Sequence, residues 1–352
     1  IKSLAARGLL FAKEKITHSY PHCWRCDTPL LNYAASSWFV AVTKFSRKLV
    51  AENKKIGWVP KEVGQNRFGD WLENARDWAI SRARYWGAPI PVWRNPKTKE
   101  NIVMGSLEDL KRYVKKSGNR YYVMRHGQAA INTTPFWTKK LEVEADLTDK
   151  GRAQIERASK ALSGADRPDM VICSPLNRAR QSAEIFARVT GFPLDAVTHD
   201  DRLREWIIDD HYEGRPLSEV DGLYDTEHVW NPKTEFKNGE NFSSLIRRVG
   251  DLLYSLEKSH KGKKILLICH SGTARALDFA SNDMTHAELA SKAKLKDLGN
   301  GEVVEIPFVP LPHNDDFELD FHRPYIDEIE LEGKDGTKLE RVPDVFDCWF
   351  ES

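Results

Sequence analysis

The sequence predicts an α/β protein: a mostly parallel sheet with helices on both faces, held between two flanks of different texture. Three observations predict it. Short apolar runs at residues 121–124, 170–173 and 265–269 alternate with amphipathic stretches at 148–162, 176–190 and 242–259, the strand–helix rhythm of a parallel sheet. Residues 37–118 are instead rich in Trp and Arg, and that texture returns from Phe317 onward. Between the middle and the second flank, residues 307–316 hold three Pro and then Asn314-Asp315-Asp316, which reads as a linker.

Taken in order, the first feature is His22-Cys23-Trp24-Arg25-Cys26, a metal-like motif within residues 1–36. Residues 66–84 look helical and lead to Pro89, Pro91 and Trp93. Tyr121-Tyr122-Val123-Met124 is apolar throughout, as a buried strand is. The helix that follows begins at Thr148 or Asp149, both good N-caps. Met170-Val171-Ile172-Cys173 is the second strand and leads into the helix at 176–190. Ile265-Leu266-Leu267-Ile268-Cys269 is the third, with a helix from about Thr273, and residues 301–310 supply a last strand.

Composition sets limits. A chain of 352 residues suggests two or three domains. Its 11 Trp, 15 Phe and 10 Tyr exclude extensive disorder. Lys plus Arg (53) nearly balance Asp plus Glu (52), which excludes a polyanion binder working through global charge. No apolar run reaches the length of a membrane span, so no membrane partner is expected. Five Cys, an odd number in a long chain, read as reduced thiols of a cytoplasmic protein. The chain begins at Ile1 and stops at Phe350-Glu351-Ser352 without polar tails, which reads as a piece of a longer polypeptide.

The strand ends carry the chemistry. Arg125-His126-Gly127, Ser174-Pro175-Leu176-Asn177-Arg178-Ala179 and His270-Ser271-Gly272-Thr273 each follow one strand. The carboxyl ends of strands form the ligand crevice of an open α/β sheet, so two His and two Arg should converge there. Helix N-termini beside them offer N–H donors to an anion. A neutral imidazole is a competent nucleophile, two guanidiniums can hold phosphoryl oxygens, and Glu205 is placed to protonate a leaving oxygen. Read alone, Arg-His-Gly is more often an accident or a surface turn, and a His after a strand more often a hydrogen-bonded core residue; order and context favour a phosphate site.

At these residues the chain resembles the histidine phosphatase superfamily, the phosphoglycerate mutase-like three-layer αβα fold, over about Arg120 to Pro310. The resemblance implies His126 as nucleophile, Glu205 as proton donor and His270 as the second catalytic histidine. It implies Arg125, Asn132, Arg178 and Ser271 as phosphate-binding residues, a small phosphorylated substrate and no cofactor. Gly239-Glu240 and Arg247 or Arg248 fit a further helix start. The sequence departs from the family at Ser271, where Gly is common, and at Gln128, where Glu is frequent. The segment from Trp206 to Asn238, which would shape specificity, resembles no familiar segment.

Cys23-x-x-Cys26 has zinc-knuckle spacing, yet Cys173, Cys269 and Cys348 are isolated and provide no second pair. Two readings stand: a half-site whose partners lie elsewhere, or no metal. The flanks resemble isoleucyl-tRNA synthetases, class I enzymes with a Rossmann-type catalytic domain. The carriers are His18 to Leu30, Arg67 to Leu72, the long run Ala75 to Pro91, His322 to Asp327, and Arg341 to Ser352. The resemblance implies Cys23 and Cys26 as half of a Zn2+ site and Trp349 in the amino-acid pocket, although a core aromatic is an equal reading of Trp349. It implies tRNA(Ile), isoleucine and ATP with Mg2+ as substrates of the intact protein. The family's two ATP signatures are missing from these residues, so this stretch should not charge tRNA alone.

The expected organisation is therefore 1–36 as the end of an editing and zinc-knuckle connective region, and 37–118 as a connective segment of the catalytic domain. Residues 119–310 form an inserted histidine phosphatase-like domain, and 311–352 the linker and return to the synthetase. The rival readings are a stand-alone phosphoglycerate mutase-like phosphatase and a synthetase with a catalytically inert insert.

Overall fold

Val123, Met124, Val171 and the run Ile265 to Cys269 are at most 1% exposed, so each of these runs is a strand covered on both faces. A computed structural model describes residues 1–31, 36–206, 209–222, 238–282 and 298–351. It divides into two compact units, Ile1–Ser81 and Arg82–Ser352. The sheet lies in the second and contains β1 (Arg120–Arg125), β2 (Met170–Cys173), β3 (Val197–His199), β4 (Lys264–Cys269) and β5 (Val303–Ile306). Its order is β5-β1-β4-β2-β3, parallel except for β5, which runs antiparallel along the β1 edge.

The crossovers place the helices. A short helix, α1 (Lys139–Glu144), and then α2 (Asp149–Ala161) connect β1 to β2, while α3 (Asn177–Thr190) connects β2 to β3. Both steps move across the sheet in one direction, so right-handed connections put α2 and α3 on the same face. The chain then steps back to β4 through α4 (Phe242–Ser259), which falls on the other face with α5 (Ser271–Ser281). Packing agrees: α2 lies against α3, and α4 against α5. This is the expected three-layer αβα arrangement. Thr148, not Asp149, is the N-cap of α2, its hydroxyl accepting from Gly151 N at 3.1 Å. The helix expected from about Thr273 starts two residues earlier, at Ser271.

The residues on either side of the sheet domain meet in one body within the same unit. Val92–Arg94 is the middle strand of a small sheet between Asn101–Val103 and Glu340–Arg341. Trp93, Leu110 and Val114 from before the sheet domain share a buried cluster with Ile326, Leu331 and Leu339 from after it. Lys115 N donates to Glu330 O at 2.8 Å and Glu332 N to Tyr113 O at 2.7 Å. The seam is interleaved: Leu311 sits in this small core, but Phe317 joins the core of the large sheet, its ring laid on Gly250 of α4.

In the unit 1–81 the helical reading of residues 66–84 is corrected. A π-helical turn Val63–Phe68 runs into the helix Gly69–Glu73, and the helix ends there. Asn74 bonds back to Asp70 O through its side chain at 2.8 Å. Asp77 accepts from the Thr43 N–H at 3.0 Å and hydroxyl at 2.7 Å, while Trp78–Ala79 pairs as a strand with Phe39–Val40. Polar side chains that bind distant backbone donors outcompete the local helix.

Candidate active site

The carboxyl ends of β1, β2 and β4 bring the expected histidines together. His126 follows β1 and His270 follows β4; both are buried, with ring centroids 5.1 Å apart. Two glycines make the approach possible. A Cβ on Gly127 would lie 2.3 Å from Gly151 O, and one on Gly151 would lie 2.0 Å from Gln128 O. The N-terminus of α2 therefore seats directly on the backbone after His126.

His126 Nδ1 lies 2.7 Å from Gly127 O. A carbonyl only accepts, so the ring proton is on Nδ1 and Nε2 holds the lone pair. Arg178 Nε donates to that Nε2 at 3.2 Å. Burial, with Arg178 and Arg125 nearby, holds His126 well below its ordinary pKa range, and burial with Arg178 and His126 does the same to His270. Both rings are neutral at pH 7. His270 Nε2 is 2.8 Å from the hydroxyl of Ser174. Its Nδ1, like Arg125 Nε, is a buried polar atom without a partner among the described residues.

The remaining expected residues are distributed less simply. Arg125 donates through one guanidinium nitrogen to Leu298 O at 2.8 Å. Asn132 accepts from Ala129 N at 3.0 Å and from Asn300 Nδ2 at 3.3 Å, so its oxygen holds the loop. Ser271 is the first residue of α5. The next two N–H groups of that helix, Gly272 and Thr273, donate to Glu205 at 3.3 Å each, and Trp206 N adds a bond of 2.9 Å. The acceptor at this helix N-terminus is thus the chain's own Glu205 side chain. Arg248 holds the segment bearing it, donating to the carbonyls of Arg202, Arg204 and Glu205 while paired with Glu240. Arg247 instead pairs with Asp316 on the surface. Much of the segment from Trp206 to Asn238, residues 207–208 and 223–237, lies outside the described residues.

Three site residues have no functional reading in the sequence. Ser174 stands in the β2 motif, but nothing there ties its hydroxyl to His270. Asn300, flanked by Gly299 and Gly301, donates to His126 O at 3.2 Å. Glu142 of α1 pairs with Arg178 through its carboxylate and its carbonyl.

In the other unit, Cys23 and Cys26 share a tight turn closed by Cys23 N to Thr28 O at 2.8 Å. The Thr28 hydroxyl bonds Cys26 Sγ at 3.2 Å and lowers the thiol's pKa. Two thiols on one turn fit half of a tetrahedral set. Among the described residues no group of three or more His, Cys, Asp or Glu side chains is placed to hold a metal. Trp349 is 78% exposed on the helical turn Cys348–Glu351.

A neutral, buried imidazole pair and a buried guanidinium at the strand ends of an αβα sheet define a phosphate-handling enzyme fold. The model of the histidine phosphatase superfamily (branch 1) matches residues 121–305, and the chain belongs to that superfamily. The model of class I tRNA synthetases (I, L, M and V) matches residues 13–149. It overruns β1, which the structure assigns to the phosphatase sheet. The isoleucine–tRNA ligase of Treponema denticola is 56% identical over 111 residues, 32% of this chain and 10% of that protein. That of Thermus thermophilus is 48% identical over 111 residues, 32% and 11%. The chain thus spans about a tenth of the length of the ligases it matches. Among solved structures, a mycobacterial glucosyl-3-phosphoglycerate phosphatase with VO3 aligns at TM-score 0.45 and 24% identity, covering 53% of this chain and 91% of that one. Bacillus stearothermophilus YhfR aligns at 0.42 and 26%, covering 49% and 84%. The chain therefore joins a segment homologous to isoleucine–tRNA ligases with a histidine phosphatase-like domain.

Proposed function

We propose that residues 119–310 hydrolyse a small phosphate ester through a phosphohistidine, within an insert carried by an isoleucine–tRNA ligase. The observation that carries the reading is the His126 ring: Gly127 O fixes the proton on Nδ1, and Nε2 faces Arg178 with its lone pair. In the first step His126 Nε2 attacks phosphorus and the bond to the leaving oxygen breaks. Glu205 is the proposed source of the proton that oxygen takes. In the second step water attacks phosphorus, gives a proton back to the Glu205 carboxylate, the N–P bond breaks, and inorganic phosphate leaves with His126 regenerated. The orphaned His270 Nδ1 and Arg125 Nε would be satisfied by phosphoryl oxygens, with Arg178, Asn132 and Ser271 as further proposed contacts.

For the flanks we propose the parent's reaction: isoleucyl-adenylate formation from ATP and Mg2+, then transfer to tRNA(Ile), in the cytoplasm. Trp349 would help line the isoleucine pocket. Cys23 and Cys26 would supply half of a Zn2+ site, and the ion would lock their turn to ligands elsewhere in the parent.

The phosphatase test is p-nitrophenyl phosphate hydrolysis by the 352-residue chain. Wild type should turn over and leave an acid-labile phosphoryl group on the protein after quenching in base, and His126→Ala should lose both. No turnover would falsify the reading in favour of an inert insert, and turnover indifferent to that substitution would overturn His126 as the nucleophile. Isoleucine-dependent pyrophosphate exchange by the intact parent tests the ligase reading, and better activation of valine would overturn it.

A further inference from the structure

We propose that Glu142 is a specificity-determining residue of the phosphate pocket, a resident anion that the substrate's phosphoryl group must displace from Arg178. The inference rests on the phosphatase reading of the site. Arg178 is only 2% exposed, and its three nitrogens are all engaged: Nε by His126 Nε2, one terminal nitrogen by Glu142 O and the other by Glu142 Oε1. The two terminal nitrogens are the fork that would take phosphoryl oxygens side by side. While Glu142 holds them, that side-by-side fork is closed to a phosphate.

The two partners are not equally fixed. Arg178 sits in the first turn of the fourteen-residue helix α3, and the side chain has no exit. Glu142 rides on α1, six residues long, and its side chain keeps 18% of its surface open. Before α1, Trp137 is buried and tied by Trp137 N to Arg215 O at 2.9 Å and Gly214 N to Trp137 O at 3.0 Å. Beyond that anchor the described ties of α1 to the 209–215 segment are Lys139 N to Glu213 at 2.9 Å and the exposed Lys139–Asp210 pair at 2.6 Å. At its other end α1 is tied to α3 by Asn177 Nδ2 donating to Glu144 O at 3.4 Å, so it is the partly open Glu142 side chain that can turn outward while the guanidinium stays. Burial, together with the nearby Glu205, raises the pKa of the Glu142 carboxyl against the pull of Arg178, so this anion is an easier one to displace than a free carboxylate would be.

Exchange also selects. A phosphoryl dianion brings more charge and more acceptors to Arg178 than one carboxylate, so it wins the site. A singly charged carboxylate or sulfate monoester merely matches what is there.

The test is calorimetric binding of inorganic phosphate to the full 352-residue chain, wild type against Glu142→Gln and Glu142→Asp. The first removes the charge at constant shape, and the second withdraws the carboxylate by one methylene. Each should lower the phosphate Kd about tenfold, the scale of one charge-assisted hydrogen bond, and lower KM for p-nitrophenyl phosphate with it. Unchanged or weaker phosphate binding in both folded variants would make Glu142 a structural partner of Arg178 and overturn the proposal. So would loss of the fold in both, judged by circular dichroism. Tighter phosphate binding without turnover in any form would leave this inference standing and sink the phosphatase reading. Turnover with an unmoved phosphate Kd would do the reverse.

Discussion

At the scale of single residues the site depends on keeping two histidines neutral where two arginines discourage protonation. His126 and His270 are buried, and both titrate well below the ordinary range. The sign of the resulting pH dependence follows from linkage. Between the ordinary histidine pKa, about 6.5, and the lowered folded values, the unfolded chain binds more protons than the folded one. Stability is therefore complete above about pH 6.5 and falls as pH drops below it, by at most about 1.4 kcal/mol per pH unit for each histidine. Glu142 acts with the opposite sign, since its raised pKa makes the folded state the better proton binder. One carboxyl offsets at most one of two histidines, so the net trend stays acid-labile. Urea unfolding midpoints measured from mildly alkaline to mildly acid pH check this, and His126→Asn should flatten the slope. A slope that steepened in that variant would contradict the assignment.

At the scale of elements the geometry comes from where α2 begins. Its N-terminus stands on the backbone of Gln128, which is why position 151 has no room for a methyl group. Gly151→Ala should cost about 1–3 kcal/mol of stability, as overpacking does. It should also lower kcat by up to about a hundredfold, because the backbone it pushes carries His126. A variant with unchanged melting temperature and unchanged kcat would show that the loop yields freely. The same elements show what a sequence reveals. β1, β2 and β4 carry apolar runs because both faces of the sheet are covered, and a short run without alternation is the mark such burial leaves. Their ends then place His126, Arg178 and His270 without further information. Glu142 and Asn300 are illegible because each reaches the pocket from a loop or short helix, and no periodicity encodes where such a side chain lands. Glu205 is legible as an acid near the site, but its three backbone donors depend on the meeting of two distant segments. The stretch 66–84 misleads because Asp77 and Trp78 find their partners at Thr43 and Val40, beyond the reach of local pattern.

At the scale of the whole molecule the question is how the segments before and after the sheet domain stay one body. The structure answers with the small core formed by Trp93, Leu110 and Val114 on one side and Ile326, Leu331 and Leu339 on the other. The backbone bonds Lys115 to Glu330 and Glu332 to Tyr113 close the chain just outside the sheet domain. Domain ends that lie close together are the condition under which insertion is tolerated. The two cores should then respond separately to damage. Leu331 is 1% exposed and belongs to the small core alone. Leu331→Ala should cost that body about 2–5 kcal/mol, while phosphate turnover, served by β1, β2 and β4, changes little. Hydrogen exchange resolves the two. Faster exchange at Val92 to Arg94 and at Val342, with β1 and β4 as protected as in wild type, is the expected result. Equal loss of protection in both regions would mean one cooperative unit, and the insert would then be fused into the scaffold's stability rather than carried by it.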